Sequence, residues 1–295
     1  MTIQLAEKYI PILSEKYKKE TVTEILDAPS EIVQESMSGR KVHIPEVELD
    51  GLGDYDRADG FSDGSVTVNW VEYELEQDRG TEFLIDEADN METVEVAFAS
   101  ASEQFMRTQV APEVDAYRFA EMADSAGTVE EEDFSASDSM IDAIDEAVEE
   151  LDNEEVPESG RFLFVNPTIY RFMKSSDLID RTFSVQSGEE EVNRNIGMLE
   201  NMPVIKVPKG RFDTDIDLDD GSGGGGFATD GDTINFMIVH QDAVLPIVKL
   251  DGLRVFSPAE YQEARAYKFD YRIYHDIIVP DNKTAGIYVS HESSQ

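Results

Sequence analysis

Residues 47–70 read VELDGLGDYDRADGFSDGSVTVNW, two alternating apolar runs joined by a tip of Gly, Asp and small polar residues. Alternation on both sides of a turn-rich centre is the pattern of a β-hairpin. From residue 50 to residue 64 only Leu52, Tyr55, Ala58 and Phe61 offer apolar surface. The strands read as residues 42–49 and 66–75, which at about 3.3 Å per residue gives a ribbon about 30 Å long. A lone two-stranded ribbon is marginal in water. It has to lean on something, its tip offers little to its own core, and another subunit is the natural support.

Both strands change phase midway. Val42 and Ile44 share one parity and Val47 and Leu49 the other; Val66, Val68 and Trp70 share a parity that passes to Val71, Tyr73 and Leu75. A phase switch predicts a bulge or bend in each strand.

Charge constrains the rest. Sixty-four acidic residues face twenty-four basic ones, a formal charge of −40. The Debye length is about 10 Å at 0.1 M salt and about 3 Å at 1 M, so such a chain repels itself in dilute buffer and is hydrated in brine. The acids are spread along nearly the whole chain, which favours a high-salt protein over an acidic tail or a cation store. The same charge argues against a general grip on nucleic acid, which needs Lys and Arg. Residues 1–41 depart from the trend, with six basic and seven acidic residues. They read as an arm of short helices, with Val22, Ile25 and Leu26 as one stripe and Pro11 and Pro29 as breaks.

No apolar run reaches the roughly 18 residues that span a bilayer, the first residues lack a secretory pattern, and the absence of Cys excludes disulfides and thiolate metal sites. A long helix is expected over residues 89–124, N-capped by Asp89 and kinked at Pro112. Residues 128–160 hold fourteen acids and no Lys or Arg, yet Met140, Ile141, Ile144, Val148 and Leu151 mark an amphipathic helix. Then come a strand at 161–165, a helix at 168–174, a strand at 203–207, and five short apolar runs after a Gly/Asp linker. Helices first and strands later, with no βαβ rhythm, make the class α+β.

Chemistry-bearing constellations are weak. DTDIDLDDGSGGGG, residues 213–226, resembles a calcium loop, but from Asp215 the sixth and twelfth positions are Asp220 and Gly226 where Gly and Glu are needed. A mobile acidic loop is favoured over a metal site at Asp215, Asp217 and Asp219. The four His residues are scattered, and His240 and His275 read as paired core residues. Nothing points to catalysis.

The ordered pieces nevertheless match a family. GLGDYDRADGF on the hairpin is followed by W..YEL.QDRG..F.ID..D..E, by F.RTQVAPEVDAYR on the long helix, and late by RVFSPAE and DYRIYHDIIVPDNKTAGIYV. This resembles the major capsid proteins of tailed double-stranded DNA viruses, those of the Hong Kong 97-type fold, over roughly residues 40–295. The resemblance implies an N-terminal arm at 1–41, an extended E-loop at 42–88, a spine helix of the peripheral domain at 89–127, an axial domain at 128–249, peripheral strands at 250–280 and a C-terminal strand and tail at 281–295. It implies a non-enzymatic protein that self-assembles into pentamers and hexamers of an icosahedral head around the genome. The virion capsid would be its place, after assembly in the host cytoplasm. Inter-subunit contact is expected at Tyr55, Arg57, Phe61, Trp70, Tyr73 and Arg79.

The expected partners are further copies of the chain and DNA held without sequence specificity, with portal, scaffold or decoration proteins beside them and no membrane. No cofactor is expected beyond structural Mg or Ca ions. Some relatives cross-link an E-loop lysine to an asparagine of a neighbour; residues 42–88 contain no Lys, so no covalent mesh is expected by that route. The acidity points to a virus of halophilic archaea. The rival readings are an encapsulin-like shell and a salt-adapted metal-dependent hydrolase.

Overall fold

The computed structural model describes residues 21–27, 37–38, 41–52, 55, 57, 64–86, 104–134, 137–176, 197–219, 221, 224–261 and 263–293. Strands β1 (Met37–Ser38), β2 (Lys41–Leu49) and β3 (Val66–Glu74) form an antiparallel sheet, in which β2 and β3 are the hairpin. After a bend at Leu75 and Glu76 the chain re-enters as β4 (Gln77–Asp86). The expected long helix is described from Gln104 onward; residues 89–103 lie outside the described residues. Gln104 and Phe105 continue into a π-helical turn, Met106–Val110, and then into α1 (Ala111–Asp124).

That π turn is where the effect of Pro112 appears. Proline has no N–H to return to the carbonyl four residues back. Ala111 N–H instead reaches five residues back, to Met106 O, and the Thr108 hydroxyl donates to Gln104 O at 2.8 Å. The break is therefore a widened turn that keeps the helix continuous.

The centre of the fold is a six-stranded sheet ordered β5-β14-β11-β6-β8-β7. Its members are β5 (Thr128–Glu131), β6 (Arg161–Val165), β7 (Met198–Leu199), β8 (Met202–Lys206), β11 (Ile234–His240) and β14 (Ile287–His291). All seven residues of β11 are buried, because helices cover both faces of the sheet. Odd residues Met237 and Val239 pack with Phe119 and Met122 of α1. Even residues Phe236 and Ile238 pack with α2 (Ser137–Asn153) and α3 (Pro167–Ser175). The predicted stripe of α2 is borne out: Met140, Ile141, Ile144 and Leu151 are buried in that cluster, with Val148 packed against it.

A small ribbon, β9 (Ile216–Leu218) with β10 (Phe227–Thr229), frames the Gly/Asp loop. The last sheet, ordered β12-β13-β4, joins β12 (Leu245–Phe256) and β13 (Ala266–Ile278) to the strand after the hairpin. Two readings are corrected here. Two of the five apolar runs, at 243–250 and 253–258, belong to one strand, β12, which spans 249/250 with a register shift between Val248 and Leu250. Strand β4 was not foreseen, although it pairs with β13 along its whole length, from Gln77 opposite His275 to Asp86 opposite Ala266. Its charged sequence hides it, and so does Gly80: a Cβ there would lie 2.8 Å from Tyr271 O, so the close approach of the two backbones needs glycine.

Candidate assembly surface

The hairpin pairs without interruption from Lys41 opposite Glu74 to Leu49 opposite Val66, nine pairs in constant register. The bulge expected from the phase switch is absent from this pairing. Directly opposed residues share a face of a ribbon, so one face carries Val42, Ile44, Val71 and Tyr73 near the base. The other carries Pro45, Val47, Leu49, Val66, Val68 and Trp70 towards the tip. The sequence changes parity because the ribbon changes which face is apolar, not because a residue is inserted.

The two faces have different fates. Val42 and Leu75 are fully buried with Ile247, Tyr274 and Ile278, and Ile44 and Tyr73 pack against them. The Tyr274 hydroxyl donates to Leu75 O at 3.1 Å, and Glu76 N–H donates to Asp276 Oδ2 at 2.8 Å. The base is thus fastened to β13. At the tip end, Asp50 Oδ2 accepts from Ser65 N–H and from the Ser65 hydroxyl, both at 2.7 Å, closing the ribbon after its last pair. In between, the distal apolar face is open: Val47 is 55%, Leu49 70%, Val66 67%, Val68 50% and Trp70 64% exposed. On a chain of −40 this face carries no charge. A contiguous exposed apolar patch of this kind marks a contact surface.

The contact residues expected from the sequence therefore separate. Trp70 stands on the open face, and Tyr55 and Arg57 are exposed in the tip. Phe61 lies outside the described residues. Tyr73 is turned to its own core at the base. Arg79 is engaged within its own chain: Nε donates to Glu113 Oε1 at 2.8 Å, and its two terminal nitrogens donate to Asp219 O at 2.7 Å and Gly226 O at 3.1 Å. Val47, Leu49, Val66 and Val68 share the open face with Trp70 and were not singled out from the sequence. Their signal was the parity switch itself.

Arg79 also changes the reading of the Gly-rich segment. Asp219 N–H donates to Gly226 O at 3.0 Å, and Gly221, Gly224, Gly225 and Gly226 all have positive φ. Through Arg79 the described part of the segment is tied to β4 and, by Glu113, to α1. It walls a cleft of about 740 Å³ with Phe83, Phe105 and Tyr271. Asp215 and Asp217 flank and enter β9, where same-side residues stand about 6–7 Å apart. Asp215 Oδ1 accepts from Ile216 N–H and Asp219 Oδ1 from Gly221 N–H. Among the described residues no three carboxylates or imidazoles converge on a metal-sized site.

A second fastening involves the N-terminal segment. Thr23 and Leu26, in a 3₁₀ turn (Thr23–Leu26), are fully buried, whereas Ile25, expected on the same stripe, is 42% exposed. Asp115 of α1, itself fully buried, accepts from Val22 N–H, Thr23 N–H and the Thr23 hydroxyl, and pairs with Arg211 at 2.9 Å. Arg118, one turn on, donates to Thr23 Oγ1 and Asp27 Oδ1, both at 3.0 Å. His240 and His275 are buried, as read from the sequence, but only His240 has both ring nitrogens paired, to Ser159 O and Asp242 N–H; the buried His275 Nδ1 has no hydrogen-bond partner among the described residues. Burial, reinforced by the positive charges of Arg118 and Arg79, lowers the His275 pKa to about 3, so its imidazole is neutral.

Known structures share this overall architecture. A chain titled "Mycobacterium phage Che8" superposes with a TM-score of 0.63 at 19% identity, covering 92% of this chain and 90% of that one. The mature capsid of bacteriophage PhiM1 gives 0.62 at 12% identity, covering 87% and 83%. The virus-like particle from Pyrococcus furiosus gives 0.55 at 12% identity, covering 97% and 98%. The chain has the Hong Kong 97-type capsid fold. No protein-family model and no curated protein matches the sequence. The Hong Kong 97-type fold accounts for the ribbon as its E-loop and for the helix of residues 104–124 as its spine.

Proposed function

We propose that this chain is a shell-forming coat protein, the major capsid protein of a tailed double-stranded DNA virus, and that the distal ribbon face is seated on a neighbouring copy. One observation carries the reading. The ribbon is fastened at its base to its own core and displays, beyond that base, an uncharged apolar face whose side chains are half or more exposed. Edge and side-chain contacts from a second subunit supply the packing that the ribbon lacks. The described chemistry supports a structural role: its buried polar groups fasten elements together, and the acids of the Gly/Asp loop cap backbone N–H groups.

In this reading the helix-covered sheet is the axial domain and β12-β13-β4 with the spine helix the peripheral domain. Pentamers and hexamers close the shell, the DNA inside is held without sequence specificity, and portal, scaffold or decoration proteins join it. The charge of −40 supports a high-salt host, archaeal by the same argument, with assembly in its cytoplasm. Mg or Ca ions bridging facing carboxylates are the cofactors this charge favours.

A second reading, a cellular protein shell, is favoured by the near-complete overlap with the virus-like particle from Pyrococcus furiosus. Electron microscopy and nucleic-acid analysis of particles from the native source separate the two. Nuclease-resistant double-stranded DNA inside closed particles is expected; protein-filled particles without DNA favour the second reading, and only small oligomers contradict both.

A further inference from the structure

The six-stranded sheet ends on opposite charges. At one edge, beside β8 and β7, Lys174 Nζ and Lys206 Nζ each lie 4.8 Å from the centre of the Tyr170 ring, one on α3 and one at the end of β8. Arg171 sits 5.2 Å over the neighbouring Phe172. All three cations are exposed, and Lys174 lies in the last turn of α3, where the helix dipole favours positive charge. In a chain with twenty-four basic residues among 295, three converging on one edge is a concentration.

At the other edge, beside β5 and β14, the charge is negative. Glu130 lies in β5 and Glu132 just after it, and Glu146 and Glu150 lie on α2. These four acids all act on the Tyr288 hydroxyl of β14, which burial and their field hold above its ordinary range. Glu132 is tied there by the Ser290 hydroxyl at 2.8 Å. Both outer strands also expose one apolar residue, Met198 at 63% on β7 and Val129 at 47% on β5.

Five strand spacings of about 4.8 Å separate the edges by roughly 24 Å. Two-fold pairing of like edges would oppose like charges at each edge. Head-to-tail stacking satisfies both, and if the rotation closes it yields a ring.

We infer that the cationic edge at Arg171, Lys174 and Lys206 docks on the acidic edge at Glu130, Glu146 and Glu150 of the next copy of this chain, and so sets the direction of a ring of subunits. This rests on the shell-forming reading and adds the contact that orders the ring. It also makes this seam attractive on a molecule whose surface is otherwise repulsive, so charge here steers association rather than opposing it.

The test is charge reversal and re-reversal in the full chain, at the lowest salt at which the wild type assembles. Lys174→Glu/Lys206→Glu and Glu146→Lys/Glu150→Lys are made separately and together, with Arg171→Glu as an independent probe that spares the Tyr170 sandwich. Circular dichroism checks folding, and sedimentation velocity and negative-stain microscopy count rings. Each double reversal, and Arg171→Glu, is expected to slow ring formation about tenfold or more, and the quadruple variant to recover to within about threefold of wild type. Folded reversals that assemble like wild type, or a quadruple variant no better than either parent, overturn the inference while leaving the shell reading intact. A wild type that never exceeds a monomer under any salt overturns the shell reading and this one with it. If the lysine reversals fail to fold, Arg171→Glu and the glutamate reversals decide: both unchanged is again the overturning result.

Discussion

Val47 stands directly opposite Val68 in the ribbon, and both side chains are half-exposed on the face opposite the one that buries Val42. A charge placed on this pair meets water in the isolated chain and apolar surface in an assembled one. Val47→Asp with Val68→Asp is therefore expected to change unfolding free energy by about 0.5 kcal/mol or less per site, as surface substitutions do. The same variant should abolish closed particles. Denaturant unfolding and microscopy of one preparation check the two halves together; loss of stability by several kcal/mol would show that the face is covered within its own chain.

Asp115 is expected to matter most to stability. It is fully buried and serves two backbone N–H groups, a hydroxyl and Arg211. Asp115→Ala strands those donors and leaves Arg211 without this partner, a loss of about 3–5 kcal/mol. Removal through residue 27 should cost as much as the alanine in denaturant unfolding.

How much of this was legible depended on whether a signal was local. The stripe of α2 follows from periodicity, because that helix buries one face, and the bounds of β6 follow from a short continuous apolar run that is buried on both faces. The parity switch in the hairpin was legible too, but period alone does not distinguish an inserted residue from a ribbon that swaps faces; only the register at Pro45 opposite Trp70 does. β4 was hidden because its partner lies about two hundred residues away and four of its ten residues are charged. Arg79 has no local mark of its partners, Glu113 and the turn at Asp219, which tertiary folding alone brings together. The Asp115 fastening is of the same kind: one more acid among sixty-four, distinguished only by being buried.

His275 gives the pH dependence a sign. Its folded pKa of about 3 lies below the ordinary 6.5, so the unfolded chain binds the extra proton between those values. Its contribution is fully present above pH 6.5 and is lost as pH falls towards 3, by roughly 3 kcal/mol between pH 6.5 and 4. Glu121 and Glu132, raised mainly by burial, act in the opposite sense, because protonation relieves their desolvation. The histidine part appears as a difference: His275→Phe should show a flatter loss of stability than wild type over this range. Parallel curves would contradict it.

Salt acts on the whole shell. With −40 per copy, lowering monovalent salt from molar to about 0.05 M extends the screening length beyond about 10 Å, and repulsion then spans the seams. DNA-free shells are expected to loosen or dissociate on dialysis, and millimolar Mg²⁺ or Ca²⁺ to slow the loss by bridging carboxylates. Light scattering during dialysis follows this; constant scattering without divalent ions would mean that the interfaces are not charge-limited.

The central claim is that the ribbon completes its packing on another copy of the chain. The most direct measurement is an electron cryomicroscopy reconstruction of particles assembled from the full chain. It is predicted to show a closed shell in which Val47, Leu49, Val66, Val68 and Trp70 are buried against a neighbouring subunit while Val42 and Leu75 remain in their own core. A shell in which those five side chains face solvent, or a preparation that yields only small oligomers at every salt concentration, would contradict it.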